Sequence, residues 1–109
     1  ANTDTPVCSD NPTVYITAAG GITASFTHPF MRITGSNAAV DITADPQITT
    51  GREGQVLTLL CVDSSVTLDN GTGISLMGSS RMIMTSGVAM VFMYNTANAV
   101  WNETSRFRP

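Results

Sequence analysis

The sequence contains no lysine and little charge of either sign. All five basic residues are arginine, and with eight acidic residues the formal net charge is −3. Charged residues make up 12% of the chain, against roughly 25% in typical soluble domains. Nucleic-acid binding needs clustered basic side chains, because these neutralise phosphates, and the sequence contains no such cluster. We therefore expect no nucleic-acid partner.

Groups suited to acid–base chemistry are equally scarce. His28 is the sole histidine, and because it precedes Pro29 we interpret it as a turn residue rather than a base or a ligand. A zinc site would have to combine Cys8, Cys61 and His28, which include no closely spaced ligand pair. The sequence thus predicts no catalytic residue, no metal site, no cofactor and no enzymatic activity.

Two acidic segments have the outline of calcium ligands. Asp41 and Asp45 are four positions apart, and Asp69-Asn70-Gly71 resembles the start of a calcium loop. The second segment lacks the later bidentate acid that such loops use. Asp45 precedes a proline, and Asn-Gly is a strong tight-turn signal, so we interpret both segments as turns, the second within a hairpin.

Long apolar runs are absent as well. None approaches the roughly 20 residues needed to cross a bilayer, and no signal peptide is visible, so we expect a soluble protein with no membrane partner. Ala1 could follow a removed initiator methionine or a cleaved leader. Two unpaired thiols, with Cys61 buried, are the favoured interpretation of the cysteines, and a Cys8–Cys61 disulfide is the alternative.

The sequence does contain a regular alternation of apolar and polar residues. Turn residues interrupt it every eight to twelve positions, which is typical of an all-β sandwich or barrel. A chain of 109 residues fits one core. We expect a single antiparallel β-sandwich domain over residues 13–109, of jelly-roll type with about eight short strands. Residues 1–12, which are almost devoid of apolar side chains, are interpreted as an extended N-terminal arm.

The strongest strands supply the expected core. The run from Val56 to Val62 is too continuous for a half-exposed strand and is interpreted as the central one. Trp101, in the last strand, is interpreted as a lid on the core rather than a carbohydrate contact. The predicted core consists of Val56, Leu57, Leu59, Val66, Leu68, Ile74, Ile83, Val91, Phe92 and Trp101.

Two further patterns stand out. Val40, Ile42 and Ile48 share their spacing with three apolar residues 26 positions later, Val66, Leu68 and Ile74, although chance similarity explains this as well as duplication. Five of the six methionines fall between Met77 and Met93. We expect Met82 and Met84 to share one strand face. These methionines favour core filling, with a methionine-rich contact surface as the alternative.

From about Gly51 to Arg106 the chain resembles the small β domains on the outside of tailed-bacteriophage particles, found in capsid decoration proteins and at fibre tips. The segments that carry the resemblance are Gly54–Leu59, Val66–Gly71, Gly73–Leu76, Val91–Asn95 and Trp101–Arg106. It implies a multi-copy, non-enzymatic virion protein and transfers no catalytic residue. If the 109 residues are the complete chain, they leave no room for a fibre shaft, and on that basis a capsid decoration or cement protein is favoured over a trimeric tail-fibre or spike tip that binds the host cell surface.

The expected partners follow from this interpretation. They are the major capsid protein and further copies of the chain, in a dimer or trimer, on a virion assembled from protein made in the host bacterial cytoplasm. We expect the arm to lie along a partner, because backbone pairing there offsets the entropy cost of ordering it. The predicted partner-binding residues are Thr3, Thr5, Pro6, Val7, Cys8 and Pro12.

Overall fold

The computed structural model describes residues 13–24, 29–36, 38–63 and 65–109. Within these ranges the chain forms nine short β-strands, a single 3-10 turn at Met77–Ser79 and no α-helix. The strands are β1 (Val14–Tyr15), β2 (Phe30–Thr34), β3 (Val40–Asp41), β4 (Val56–Cys61), β5 (Val66–Leu68), β6 (Ile74–Ser75), β7 (Met82–Met84), β8 (Ala89–Asn95) and β9 (Val100–Phe107). The all-β fold predicted from the alternation is confirmed.

The strands form two sheets of mixed direction. One has six strands in the order β1-β2-β4-β8-β9-β6 and curls into a half-barrel, and the other has three in the order β3-β5-β7. Strand β8 is antiparallel to both β4 and β9, and β5 is antiparallel to β7, but the β1–β2, β2–β4, β6–β9 and β3–β5 pairs are parallel. This is not a clear antiparallel jelly roll, which corrects the expected architecture.

One of the four parallel strand pairs follows the spacing of 26 residues noted above. Val40 of β3 lies opposite Val66 of β5, so the two similar segments are neighbours in register. The spacing extends one unit earlier, because Ile22 forms a parallel bridge with Ile48. In this part of the fold the chain returns after 26 residues and lays one unit beside the previous one in the same direction. The other three parallel pairs join residues 19, 28 and 27 positions apart. Turn residues alone do not distinguish this course from a series of hairpins.

The core lies between the two sheets. Leu57, Leu59, Val66, Leu68, Ile74, Phe92 and Trp101 are buried as predicted. Val56 and Ile83 are exposed and Val91 is half-buried, so these three predictions are wrong. The reason is strict alternation: in β4 the fully buried side chains are Leu57, Leu59 and Cys61, and the residues between them point outward. The predicted two-sided central strand is therefore buried on one face only.

The methionines divide between the core and the surface. Met82, Met84 and Met90 are buried, which confirms the shared face of the first two, whereas Met77 and Met93 are exposed. Ile83 is exposed because it lies between two inward-facing methionines on a strand.

Trp101 is fully buried and anchors one end of the core. Its indole Nε1 donates to the carbonyl oxygen of Thr49 at 3.0 Å, and its ring meets Tyr94 edge to face with centroids 5.1 Å apart. Gly51 passes so close that a Cβ atom there would lie 2.6 Å from the Trp101 ring. The absence of a side chain at position 51 thus allows the indole to fit.

The tight turn lies at Thr72 and Gly73, with φ of 52° and 85°, rather than at the predicted Asn70-Gly71, and its role differs from that of a β5–β6 hairpin. Gly71 has a φ of 99° and exchanges two backbone hydrogen bonds with Ile74. The strands on either side belong to different sheets, because β5 pairs with β3 and β7 while β6 pairs with β9. The turn therefore carries the chain from one sheet to the other.

Candidate functional site: an apolar sheet face and a cleft beside an edge strand

The outer face of the six-stranded sheet presents apolar side chains to the surroundings. Cross-strand pairing aligns them in rows, and in one row Val56 of β4 stands beside Met93 of β8. Val56, Met93 and Phe107 are 41%, 44% and 61% exposed. We call these rows the outer sheet face: Arg32–Leu60–Ala89–Phe107, Phe30–Thr58–Val91–Ser105 and Val56–Met93–Asn102.

The outer sheet face carries very little charge. Arg32 is the ionisable side chain in these rows, and its guanidinium carbon lies 5.4 Å from the centroid of the Phe30 ring in a cation–π contact. A sheet with one solvated face normally places polar residues there. Contiguous apolar surface on a small domain is characteristic of association with other macromolecules.

A cleft opens beside strand β7. Its volume is about 460 Å³, and it lies between β7, the start of β8 and the chain that follows β9. The guanidinium of Arg108 reaches across to the sulfur of Met82, 3.1 Å away. The lining residues, which include no carboxylate side chain, are Arg81, Met82, Ile83, Thr85, Val88, Arg108 and Pro109.

A buried ion pair lies behind this cleft. The Glu103 side chain is fully enclosed, and each carboxylate oxygen accepts a bond from Arg106 at 2.6 Å. The Met77 backbone N–H adds a third bond at 2.9 Å. The hydrogen bonds to Glu103 raise the pKa of Arg106 above its ordinary value. The bond from Met77 fastens the 3-10 turn to β9. Because Arg106 and Met77 occupy both oxygens of Glu103, this carboxylate is not available to a substrate.

A second acidic group forms where sequence spacing did not indicate it. Asp41 lies beside Asp69, which is 28 positions later in the sequence, and Arg81 contacts Asp69 at 3.1 Å and Asp41 at 3.7 Å. The hydrogen bond with Asp41 raises the pKa of Asp69, with smaller contributions from burial and from the Asp41 charge, which Arg81 opposes. Two carboxylates and an arginine make a surface ion-pair cluster. Within the described ranges, no group of three or more His, Cys, Asp or Glu side chains could hold a metal ion.

Gln47 is a buried polar residue whose role the sequence did not indicate. The Gln47 side chain accepts a bond from the Asp69 N–H at 2.8 Å and donates to the carbonyl oxygens of Asp69 and Gly71 at 2.7 and 3.1 Å. Its amide thus provides hydrogen-bond partners for backbone groups of the segment after β5, as a neighbouring strand would. An isolated glutamine carries no local sequence signal for this role.

The predicted arm residues Thr3, Thr5, Pro6, Val7, Cys8 and Pro12 lie outside the described residues, and so does His28. Cys61 is fully buried, as expected, and its thiol lies 3.6 Å from the carbonyl oxygen of Met84. The pairing state of the two cysteines stays a prediction.

Comparisons with family models, curated proteins and solved structures found no match for the chain. Among the residues described, no helix is long and apolar enough to span a membrane.

Proposed function

We propose that the chain is a non-enzymatic structural virion protein that decorates and cements the outer surface of a bacteriophage capsid by bridging shell subunits. Its partners in this role are the major capsid protein and other copies of the chain. The observation that carries the proposal is the outer sheet face, where seven of the eleven side chains in the three rows are apolar and one, Arg32, is charged. The link to phage particles rests on the sequence resemblance over residues 51–106.

The chemistry of this face suits binding to a protein shell. Burying an apolar side chain against a partner is favourable by about 25 cal/mol per Å², whereas burying an unpaired charge is costly. A face with few charges therefore loses little to desolvation when it docks. A standard interface buries about 800 Å² on each partner, and many copies on a lattice make modest individual contacts effective through avidity.

A trimeric fibre or spike tip is the second candidate. The parallel pairing of units 26 residues apart favours it, because a chain that stacks such units can be lengthened into a shaft. In that role the outer sheet face would pack copy against copy, and the tip would contact the host cell surface.

The deciding experiment adds purified protein to undecorated tailed-phage heads and measures occupancy and the temperature at which the heads rupture. We expect saturable binding and a higher rupture temperature. Stable trimers that bind bacterial cells, with no binding to heads, would favour the fibre tip instead.

Two methionine variants connect the result to the outer sheet face. Met93→Lys places a charge within the face, and Met77→Lys makes the same change at a similarly exposed methionine outside it. Burying the new ammonium should weaken binding at least about tenfold for Met93→Lys, which corresponds to about 1.4 kcal/mol. Equal affinities of the two variants would show that this face is not the binding surface.

A further inference from the structure

Strand β7 forms an edge of the three-stranded sheet. Met82–Met84 pair with β5 on one side, and no other described strand pairs with them. Such an edge offers backbone N–H and C=O groups to an added strand, and natural proteins usually protect it with charge, proline or a covering segment. Here the middle residue is the 54% exposed Ile83, which instead favours pairing with a partner.

The cleft beside β7 adds an electrostatic preference. The charge of Arg81 is compensated by Asp41 and Asp69, whereas Arg108 forms no ion pair with any described residue. The lining includes no carboxylate side chain, so Arg108 presents a cation without an ion-pair partner among the described residues, although the whole chain is acidic. An extended acidic peptide suits this site, because its backbone can pair with the β7 edge and its carboxylates can pair with Arg108.

The N-terminal segment of the same chain has this chemistry. Residues 1–12 contain Asp4 and Asp10 and no basic side chain. Thr3, Thr5 and Val7 alternate, so an extended segment would present them on one face. Pro6 lacks an N–H, but alternate residues of a strand point their backbone groups to opposite sides. Positions 5 and 7 can therefore pair with β7 while Pro6 faces away.

The path of the chain favours docking onto a second copy. The N–H groups of Thr43 and Ala44, just after β3, donate to the carbonyl oxygen of Ala18 at 2.6 and 3.1 Å. Ala18 therefore lies beside β3, at the edge of the three-stranded sheet opposite to β7, and β1, where the described chain begins, pairs with β2 at an edge of the six-stranded sheet. A segment returning to its own β7 would have to pass from the β1 edge of one sheet to the far edge of the other, whereas a neighbour's segment can arrive along the open edge.

We propose that residues 1–12 of one copy add as a strand to the β7 edge of a second copy, with an aspartate of the segment beside Arg108. This inference rests on the proposed assembly role and specifies the contact between copies. The main-chain bonds supply affinity, the alternating side chains cover Ile83, and the charge pair favours the acidic segment over other peptides.

Disulfide trapping between two chains tests this contact without any phage particle. Both chains carry Cys61→Ala and are checked for folding by circular dichroism, so that each retains one thiol. The donor keeps Cys8, and the acceptor carries Cys8→Ser with Thr85→Cys in the cleft wall. Thr85 is exposed, and the control acceptor has Ala97→Cys, also exposed, in the turn between β8 and β9.

Docking should bring the two thiols to an effective concentration on the order of millimolar, so at about 10 µM protein the mixed dimer should form roughly 100-fold faster with Thr85→Cys than with Ala97→Cys. Adding Arg108→Glu to the acceptor should slow trapping, and Arg52→Glu, outside the cleft, should not. Equal rates at positions 85 and 97 would overturn the proposal. A third chain carries Cys8 together with Thr85→Cys, and a disulfide within that chain without any mixed dimer between donor and acceptor would overturn the second-copy assignment. Either result leaves the head-binding experiment to judge the proposed function separately.

Discussion

Glu103 and Arg106 form a two-bond ion pair on the same face of β9, although residues three apart on a regular strand point to opposite faces. A bulge explains the geometry. Phe92 lies opposite Glu103, but the preceding residue Val91 lies opposite Ser105, so Thr104 is an extra residue. The bulge shifts the alternation and returns Arg106 to the inner side, where it reaches the buried carboxylate.

Arg106→Met should destabilise the fold by about 3–5 kcal/mol, because it leaves the Glu103 carboxylate buried without its cation. Arg108→Met is the matched control, since both arginines contact the sulfur of Met82 but only Arg106 pairs with Glu103. Urea unfolding followed by circular dichroism gives both values. Similar losses for the two variants would mean that the ion pair is not what holds this region.

Leu59→Ala should cost about 2–5 kcal/mol, because this side chain is fully buried in β4. The adjacent Leu60→Ala removes the same atoms from the half-buried outer face and should cost less than about 1.5 kcal/mol. The comparison, made by urea unfolding, tests which side chains of β4 point into the core. A larger loss of unfolding free energy for Leu60→Ala than for Leu59→Ala would mean that Leu60, not Leu59, faces the core.

Gly51→Ala should displace Trp101. The new methyl group would lie 2.6 Å from the indole and 2.9 Å from the Gln55 side-chain oxygen, and relieving this overlap should cost about 1–3 kcal/mol. The fluorescence maximum of the single tryptophan should move to longer wavelength as the indole gains solvent. Gly54→Ala, where a Cβ meets no neighbouring atom, strains the local backbone but should leave the emission unchanged.

The stability difference between the wild type and Asp69→Asn should depend on pH. The folded-state pKa of Asp69 is raised, mainly by its hydrogen bond with Asp41, so the contribution of this carboxyl is present below its unfolded pKa of about 3.9. It is lost as pH rises through the folded-state pKa. Wild-type stability minus that of Asp69→Asn, from urea unfolding between about pH 3 and pH 7, should therefore fall as pH rises.

Glu53→Gln is the control of opposite sign. Hydrogen bonds from the Thr96 hydroxyl and N–H lower the pKa of Glu53, so its contribution is present above the unfolded pKa of about 4.3 and is lost as pH falls through the folded-state pKa. The corresponding stability difference should rise with pH. Parallel curves for the two variants would contradict the assignment of either hydrogen bond.

Sequence reasoning predicted the strands well, because the alternation of apolar residues and the spacing of turns are local properties. It predicted Leu57 and Leu59 in the core correctly but placed Val56 there too, since a continuous apolar run fits burial on one face or two. Strand partners depend on tertiary packing, so the parallel pairs were missed. The one available signal was the spacing between Val40 and Val66.

The candidate site was less accessible from the sequence. The cleft joins residues near positions 81–88 to the last two residues, which share no motif. The outer sheet face could be recognised only after the inward side of each strand was known. The Glu103–Arg106 pair is hidden by the bulge, because a regular strand would separate the two side chains.

The strand order also constrains how the chain can fold during synthesis. Strand β8 is central, with β4 on one side and β9 on the other, and β6 pairs with β9 alone. Residues after position 88 therefore complete a sheet whose other strands leave the ribosome earlier. The β8–β9 hairpin closes through a short turn, whereas the parallel contacts close loops of some twenty residues or more, which is slower. The six-stranded sheet accordingly cannot be completed before β8 and β9 have been synthesised, and a truncated chain ending before β8 leaves β4 as an exposed edge prone to aggregation.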